Sequence, residues 1–216
     1  MEVVCAITPF NSPFNAVIHK IGPALAARNA VVLKPSEHAP LTPSLICDDL
    51  LNAGLPPAKI SLVNGGPAVG QAFVEHPGID FYTFTGSTAV GRLIQAGGGS
   101  RRTQLELGSI ACTVVCSDAQ LHKVIPKIAR ACFGKAGQVS ISIQRLYVHR
   151  SIVPEVTKAL VAEAGKLKCV NPVDPNTILG LMISAEDSAR AREWIQEAVD
   201  QGAKIEYGGN IQDAVL

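Results

Sequence analysis

The chain has 216 residues, of which 47% are hydrophobic and 17% charged, with a formal net charge of +1. That balance fits a soluble globular protein of one large or two small domains, and it gives no electrostatic footprint for nucleic acid or an anionic membrane. No apolar run reaches the ~18 residues of a membrane span, and the start MEVVCAITPF lacks the basic and apolar regions of a signal peptide.

Strand and helix signals alternate from the start. Glu2 to Ile7 is a short apolar run ended by Thr8-Pro9. Ala16 to Ala27 has helical spacing, with Val17, Ile21 and Leu25 on one face. Ala30 to Leu33 is again β-branched and is closed by Lys34-Pro35. Thr42 to Ala53 reads as a helix stopped by Gly54 and Pro56. Ile60 to Val63 is a strand, followed by a Gly-Gly-Pro turn and a helix from Ala68 to Glu75. A strand ending at Phe84 leads into Thr85-Gly86-Ser87 and a helix from Ala89 to about Gln95. Strands alternating with short helices predict βαβ units, hence an α/β fold with a parallel sheet.

Gly97-Gly98-Gly99-Ser100 reads as a glycine-rich joint. After Gln104 to Leu107 the pattern restarts with a strand from Cys112 to Cys116 and a helix from Leu121 to Phe133. A strand from Gln144 to Val148, a helix from Val153 to Lys166 and a helix from Ala185 to Gln201 follow. Ser184 is the N-cap of the last, and Asp187 three residues on completes a capping-box-like pattern. A domain change falls near Leu107–Gly108, giving residues 1–107 and 108–216. The first strand begins almost at Met1, and Gly208-Gly209-Asn210 to Leu216 carry no closing element, so both ends read as cut. The six cysteines, Cys5, Cys47, Cys112, Cys116, Cys132 and Cys169, form no C-x-x-C pair and sit in apolar stretches. They read as buried, reduced thiols of a cytoplasmic protein, with no metal site.

Three places have the chemistry of a nucleotide site. Helix starts after strands attract anions, because unpaired N–H groups and the dipole point there. Gly65-Gly66-Pro67-Ala68-Val69-Gly70 and Thr85-Gly86-Ser87 are such starts, and Ser87 can cap its helix or bind a phosphate oxygen. A glycine turn also has a purely structural reading, and the strict G-x-G-x-x-G fingerprint is absent. Lys34-Pro35-Ser36-Glu37 lies at a strand's carboxyl end, where α/β folds bind ligands. Lysine and glutamate three apart can both reach ribose hydroxyls; a solvated lysine and a helix-flanking acid are the plain alternative.

Five strings stand in one order: ITPFNSPF at Ile7–Phe14, KPSE at Lys34–Glu37, FTGS at Phe84–Ser87, ELGS at Glu106–Ser109 and GQVSISIQR at Gly137–Arg145. In order and spacing they resemble the aldehyde dehydrogenase superfamily, from about Val3 to Gly209. The resemblance implies a Rossmann-like cofactor domain, incomplete here, followed by the first part of an α/β catalytic domain. It implies oxidation of a small-molecule aldehyde to a carboxylic acid with NAD as hydride acceptor. Asn11 matches the asparagine of the oxyanion hole, whose other donor would be the backbone N–H of residue 140. Glu106 matches the general base that activates the deacylating water; its free pKa of ~4.3 makes partial burial an advantage. Lys20, nine residues after Asn11, matches a lysine often drawn into proton relay. Lys34 and Glu37 match the ribose-binding pair, and Glu37 favours NAD over NADP because a 2′-phosphate would meet a carboxylate. Gly66, Gly70, Gly86 and Ser87 match positions around the pyrophosphate and nicotinamide, with Thr8, Pro9, Phe84 and Leu107 completing the cofactor contacts. Glu106 argues against the branch that passes the acyl group to coenzyme A, which tends to lack it.

One position departs from the family. Ser140 lies 34 residues after Glu106, where the family carries its nucleophile in a motif resembling G-Q-x-C. The reaction needs a thiolate, and cysteine with a free pKa of ~8.5 supplies one near neutrality. A serine hydroxyl needs a base in hydrogen-bond contact. GQVSI is not G-x-S-x-G, and His19, His38, His76, His122 and His149 match no triad order. The chain as written is therefore expected to turn over weakly or not at all, whether the serine is natural or engineered. The alternatives are a non-catalytic nucleotide-binding fragment or pseudoenzyme, and an esterase using Ser140. The resemblance also implies that a later glutamate, in a motif resembling E-x-F-G-P, and the strand by which full-length relatives form homo-oligomers lie beyond Leu216.

Overall fold

A computed structural model describes residues 2–167, 173, 177 and 179–209. Cys169 and the closing stretch from Asn210 lie outside the described residues. The chain divides into two compact units, Met1–Gly108 and Ser109–Leu216.

The first unit alternates strand and helix: β1 (Val3–Ile7), α1 (Asn15–Ala26), β2 (Ala30–Lys34), α2 (Leu41–Asn52), β3 (Ile60–Leu62), α3 (Pro67–Glu75), β4 (Phe81–Thr85), α4 (Thr88–Gly98) and β5 (Arg102–Glu106). The strands pair parallel in the order β3-β2-β1-β4-β5. Parallel strands need crossover helices, and short apolar runs separated by helical ones supply them.

Strand alternation decides which helix covers which face. Val4 and Ala6 of β1 and Val31 and Leu33 of β2 pack with Val17, Ile21 and Ala24 of α1 and Ile46 and Cys47 of α2. Cys5, Val32, Tyr82 and Phe84 point the other way, into a second core with Val74 of α3 and Ile94 of α4. Burial on both faces explains why β1 and β2 read as continuous apolar runs rather than as alternating ones. The connections leave β1 and β4 toward opposite faces, and these two strands are neighbours. The sheet thus has its topological switch point between them, where open α/β folds take ligands.

The glycine-rich joint expected at residues 97–100 is largely helix. Gly97 and Gly98 form the last turn of α4, and the chain turns at Gly99, whose φ is +61°. A Cβ at Gly97 would stand 2.4 Å from Val74 Cγ1, so glycine is what lets α4 approach α3 there. Arg101 then ties the two helix ends. Its guanidinium donates to the carbonyls of Gly98, His76 and Val74 at 2.8 Å and lies 5.1 Å above the Tyr82 ring.

The second unit holds β6 (Cys112–Val115), α5 (Leu121–Phe133), β7 (Arg145–Val148), α6 (Val153–Ala164) and α7 (Ala185–Asp200). β6 and β7 pair parallel, with α5 inside the crossover. Val115, Ile125, Ile128 and Val156 form the core of this unit. Ser184 Oγ accepts from the Asp187 N–H at 3.0 Å, as the N-cap reading requires. The Asp187 carboxylate receives the Ser184 hydroxyl at 3.0 Å, so the box closes through the side chains.

The cysteines divide. Cys5 and Cys47 are buried and Cys132 is half-buried, but Cys112 and Cys116 are exposed, against expectation. β6 lies in a two-stranded sheet whose alternate residues face outward, and Cys112 is one of them. All five are free thiols. Among the described residues no helix is long and apolar enough to cross a membrane, and no cluster could hold a metal ion.

Candidate functional site

The sequence-selected residues of the first unit collect along the carboxyl edge of its sheet. Thr8 follows β1, Lys34 ends β2, Gly86 follows β4 and Glu106 ends β5. Hydrogen bonds extend the ladders one residue past the strands: Thr8 N–H donates to Lys34 O at 3.1 Å and Gly86 N–H to Glu106 O at 3.1 Å. Each loop therefore leaves the sheet from a fixed place. Thr8 Oγ1 is buried without a hydrogen-bond partner among the described residues. Pro9 and Asn11 are half-buried in the loop between β1 and α1.

Lys34, Ser36, Glu37, Gly66, Pro67 and Gly70 line one cavity of about 280 Å³. Val90, Leu93 and Ile94 of α4 give it an apolar wall. The strand-end signal and the glycine turn thus belong to one place. A Cβ at Gly66 would stand 2.6 Å from Glu37 Oε2, so glycine there leaves the carboxylate its place in the cavity. Lys34 Nζ donates to the Pro35 carbonyl at 3.4 Å. Burial pushes its pKa below the ordinary lysine value, while the Glu37 carboxylate and Cys5 act upward. Burial also pushes the neighbouring Cys5 thiol up to about 12, with Lys34 acting in the opposite direction. A cavity with an apolar wall, a lysine and a carboxylate suits a nucleoside, whose base needs apolar cover and whose ribose needs donors and acceptors.

Ser87 takes up the capping half of its two readings. Its Oγ accepts from the Val90 N–H at 3.3 Å and caps α4. Gly86 lies over the Phe84 ring, which a Cβ would meet at 2.4 Å. Leu107 packs against the second core, close to Gly91.

Lys20 and Glu106 share the α1 side of the sheet. Lys20 is 6% exposed, and its ammonium donates to Thr83 Oγ1 at 3.1 Å and Gln104 Oε1 at 3.3 Å. Burial lowers its pKa, and the charge of Glu106 acts upward. Glu106 accepts from Thr85 Oγ1 at 3.3 Å. Its side chain is exposed, not partly buried as a base role would favour. β5 is the edge strand of the sheet, and Arg102, Gln104 and Glu106 all face outward along it.

Ser140 belongs to the second unit, in a tight turn closed by the Ser142 N–H on Val139 O at 3.1 Å. The approach to it is unusual. Lys135, Ala136 and Gly137 take consecutive left-handed conformations, with φ of 53°, 55° and 73°. Gln138 braces the segment: its Nε2 donates to Lys135 O at 3.1 Å and Leu181 O at 3.3 Å, and its Oε1 accepts from the Ile183 N–H at 2.9 Å. Within this unit no imidazole hydrogen-bonds Ser140 among the described residues; His149 Nδ1 instead meets Ser151 Oγ at 2.8 Å.

The aldehyde dehydrogenase family model matches residues 1–215. The chain belongs to the aldehyde dehydrogenase family. It is 45% identical over 208 residues to 3-sulfolactaldehyde dehydrogenase of Priestia aryabhattai, covering 96% of this chain and 44% of that protein. It superposes on betaine aldehyde dehydrogenase of Staphylococcus aureus in complex with NAD+ with a TM-score of 0.94 at 31% identity, over 98% of this chain and 42% of that one. It also superposes on glyceraldehyde-3-phosphate dehydrogenase of Methanocaldococcus jannaschii complexed with NADP, with a TM-score of 0.92 at 35% identity, over 99% and 48%. The chain thus spans a little under half the length of these relatives.

The parallel α/β architecture read from the sequence of this aldehyde dehydrogenase chain matches the fold of these relatives. Sequence reasoning missed Thr83, Gln104 and the bracing role of Gln138. The first two carry no motif. Their only signal is strand alternation, which sets Thr83 two residues before Thr85 and Gln104 two before Glu106.

Proposed function

We propose that the chain is part of an NAD-dependent dehydrogenase that oxidises an aldehyde to a carboxylic acid, with residue 140 at the nucleophile's position. In this reading residues 1–107 belong to the cofactor domain and residues 108–216 to the catalytic domain. The observation that carries it is the gathering of Asn11, Lys34, Glu37, Gly86, Ser87 and Glu106 along one edge of one parallel sheet.

The cavity residues fit NAD. Lys34 and Glu37 would hold the adenosine ribose, with Gly66 and Gly70 leaving room beside them, and Gly86 and Ser87, which follow β4, would flank the remainder of the dinucleotide. The Glu37 carboxylate repels a 2′-phosphate and so favours NAD over NADP. Bound NAD supplies the hydride acceptor. The Asn11 amide donates to the oxyanion that develops on the aldehyde oxygen, an interaction of this kind being worth ~3–4 kcal/mol. Glu106 takes a proton from the water that releases the acid, and Lys20 acts on Glu106 by its charge. A cysteine at 140 would bond to the carbonyl carbon as its thiolate. Among the described residues of its unit no base hydrogen-bonds Ser140, which supports an impaired oxidation in this chain.

The test is Ser140→Cys in a full-length context, followed by NADH absorbance with simple aldehydes. NADH formed by the Cys form and not by the Ser form supports the dehydrogenase. Turnover by neither, with NAD still bound, overturns it in favour of a non-catalytic nucleotide-binding protein, the second reading that the serine itself favours. Ester hydrolysis lost in Ser140→Ala would instead reveal an esterase.

A further inference from the structure

Buried amines are costly unless their N–H groups are satisfied, and the buried Lys20 has partners of an uncommon kind. Neither is a carboxylate. Thr83 Oγ1 accepts from Lys20 and donates onward to Gln104 Oε1 at 2.6 Å, and Gln104 Oε1 accepts from Lys20 as well. The three groups close a triangle in which every hydrogen bond has a consistent direction. Two neutral acceptors hold an ammonium in place, and the Thr83 hydroxyl can turn to donate to an uncharged amine.

The register sets this triangle against Glu106. Thr83 pairs with Gln104 and Thr85 with Glu106 across β4 and β5. Residues two apart on a strand share a face, so the two polar rungs are neighbours, about 7 Å apart along the strands. The inner rung carries the Lys20 ammonium and the outer rung the Glu106 carboxylate.

We propose that Thr83 and Gln104 are positioning residues, which hold the Lys20 ammonium on the sheet face and at the distance from which its charge acts on Glu106. The inference rests on the reading of Glu106 as general base. The other charged or titratable groups around Lys20 are His19 of α1, Glu2 before β1 and Arg102 of β5, which line the same cavity of about 410 Å³. Arg102 opposes a charged Lys20 and Glu2 favours it. Thr83 and Gln104 stabilise the ammonium without supplying a countercharge. A lysine held by a carboxylate would stay paired with it; this one keeps its charge available to Glu106.

The test reads Lys20 directly in the 216-residue chain, without cofactor or substrate. The 13Cε signal of Lys20, assigned by its loss in Lys20→Met, is titrated against pH. Thr83→Val and Gln104→Leu each remove an acceptor and are expected to lower its midpoint by about one pH unit. Thr83→Ser keeps the hydroxyl and restores it. Glu106→Gln removes the opposing charge and lowers the midpoint too. Gln104 faces outward on an edge strand, so Gln104→Leu keeps the test available if Thr83→Val fails to fold. A midpoint unmoved by Gln104→Leu and Thr83→Val overturns the proposal. So does one moved by these variants and not by Glu106→Gln, which would make the triangle a packing device unconnected to the base. Failure of the dehydrogenase reading is separate: it would appear as absent NADH in Ser140→Cys, with the Lys20 titration behaving as described.

Discussion

Gly86 is a position at which the site and the core constrain each other tightly. A Cβ built there would lie 2.4 Å from Phe84 Cζ, 2.8 Å from Cε2 and 3.3 Å from Cε1. The Phe84 ring is 5% exposed and packed in the core that includes Val74, Tyr82 and Ile94, so it cannot swing into solvent. Gly86→Ala therefore forces the ring or the strand end to move by roughly 1 Å to restore ordinary contact, an overpacking change that costs ~1–3 kcal/mol. Loss of glycine freedom in the unfolded chain returns ~0.4–1 kcal/mol. The net destabilisation is ~1–2 kcal/mol, which lowers Tm by about 5–10 °C for a unit of this size. Phe84→Leu should relieve the clash, so the double variant loses less than the sum of the two single ones. Urea unfolding of the four proteins gives the coupling energy directly. Gly86→Ala with wild-type stability, or strictly additive losses, would refute the packing argument.

Two further outcomes follow from neighbouring residues. Gly66→Ala meets Glu37 Oε2 at 2.6 Å, but that contact is the far end of an exposed side chain, so stability should hold within ~0.5 kcal/mol. Calorimetry should nonetheless show NAD affinity falling by roughly tenfold, since the displaced carboxylate lines the nucleotide cavity. Cys5 makes a pH prediction. Its folded pKa of about 12 stands above the reference of 9.0, so the stability it contributes is complete below pH 9.0 and is lost as pH rises toward about 12. The full loss is ~4 kcal/mol, and Cys5→Ala should flatten that part of the alkaline unfolding curve measured by circular dichroism.

The order of the elements was legible because the two periodicities differ. Short β-branched runs at Val3–Ile7 and Ala30–Lys34 alternate with helical spacing at Asn15–Ala26, and a parallel sheet needs that alternation. The edge that gathers Lys34, Glu37, Gly86 and Glu106 was also legible, since each stands where a strand signal ends. Three features were hidden for physical reasons. Gly97 and Gly98 look like a break, yet they lie in the last turn of α4, and it is the close approach of Val74 to Gly97 that calls for glycine there. Lys135 and Ala136 carry no signal for left-handed backbone, and what accompanies that conformation is a tertiary brace from Gln138. Cys112 and Cys116 look like core because sequence does not tell an apolar strand covered on two faces from one covered on one. The Lys20 partners escaped for another reason: Thr83 and Gln104 become neighbours only through the β4–β5 register.

The central claim is that the edge lined by Lys34, Glu37, Gly66 and Gly70 holds NAD. It is tested most directly by titrating NAD and NADP into the 216-residue chain by calorimetry. Saturable binding is expected, with NAD tighter than NADP by roughly tenfold and that preference lost in Glu37→Ser. Lys34→Ala should weaken NAD binding, while Arg190→Ala, on α7 of the other unit, should leave it as it is. No binding of either dinucleotide, or binding indifferent to Lys34 and Glu37, would contradict the account.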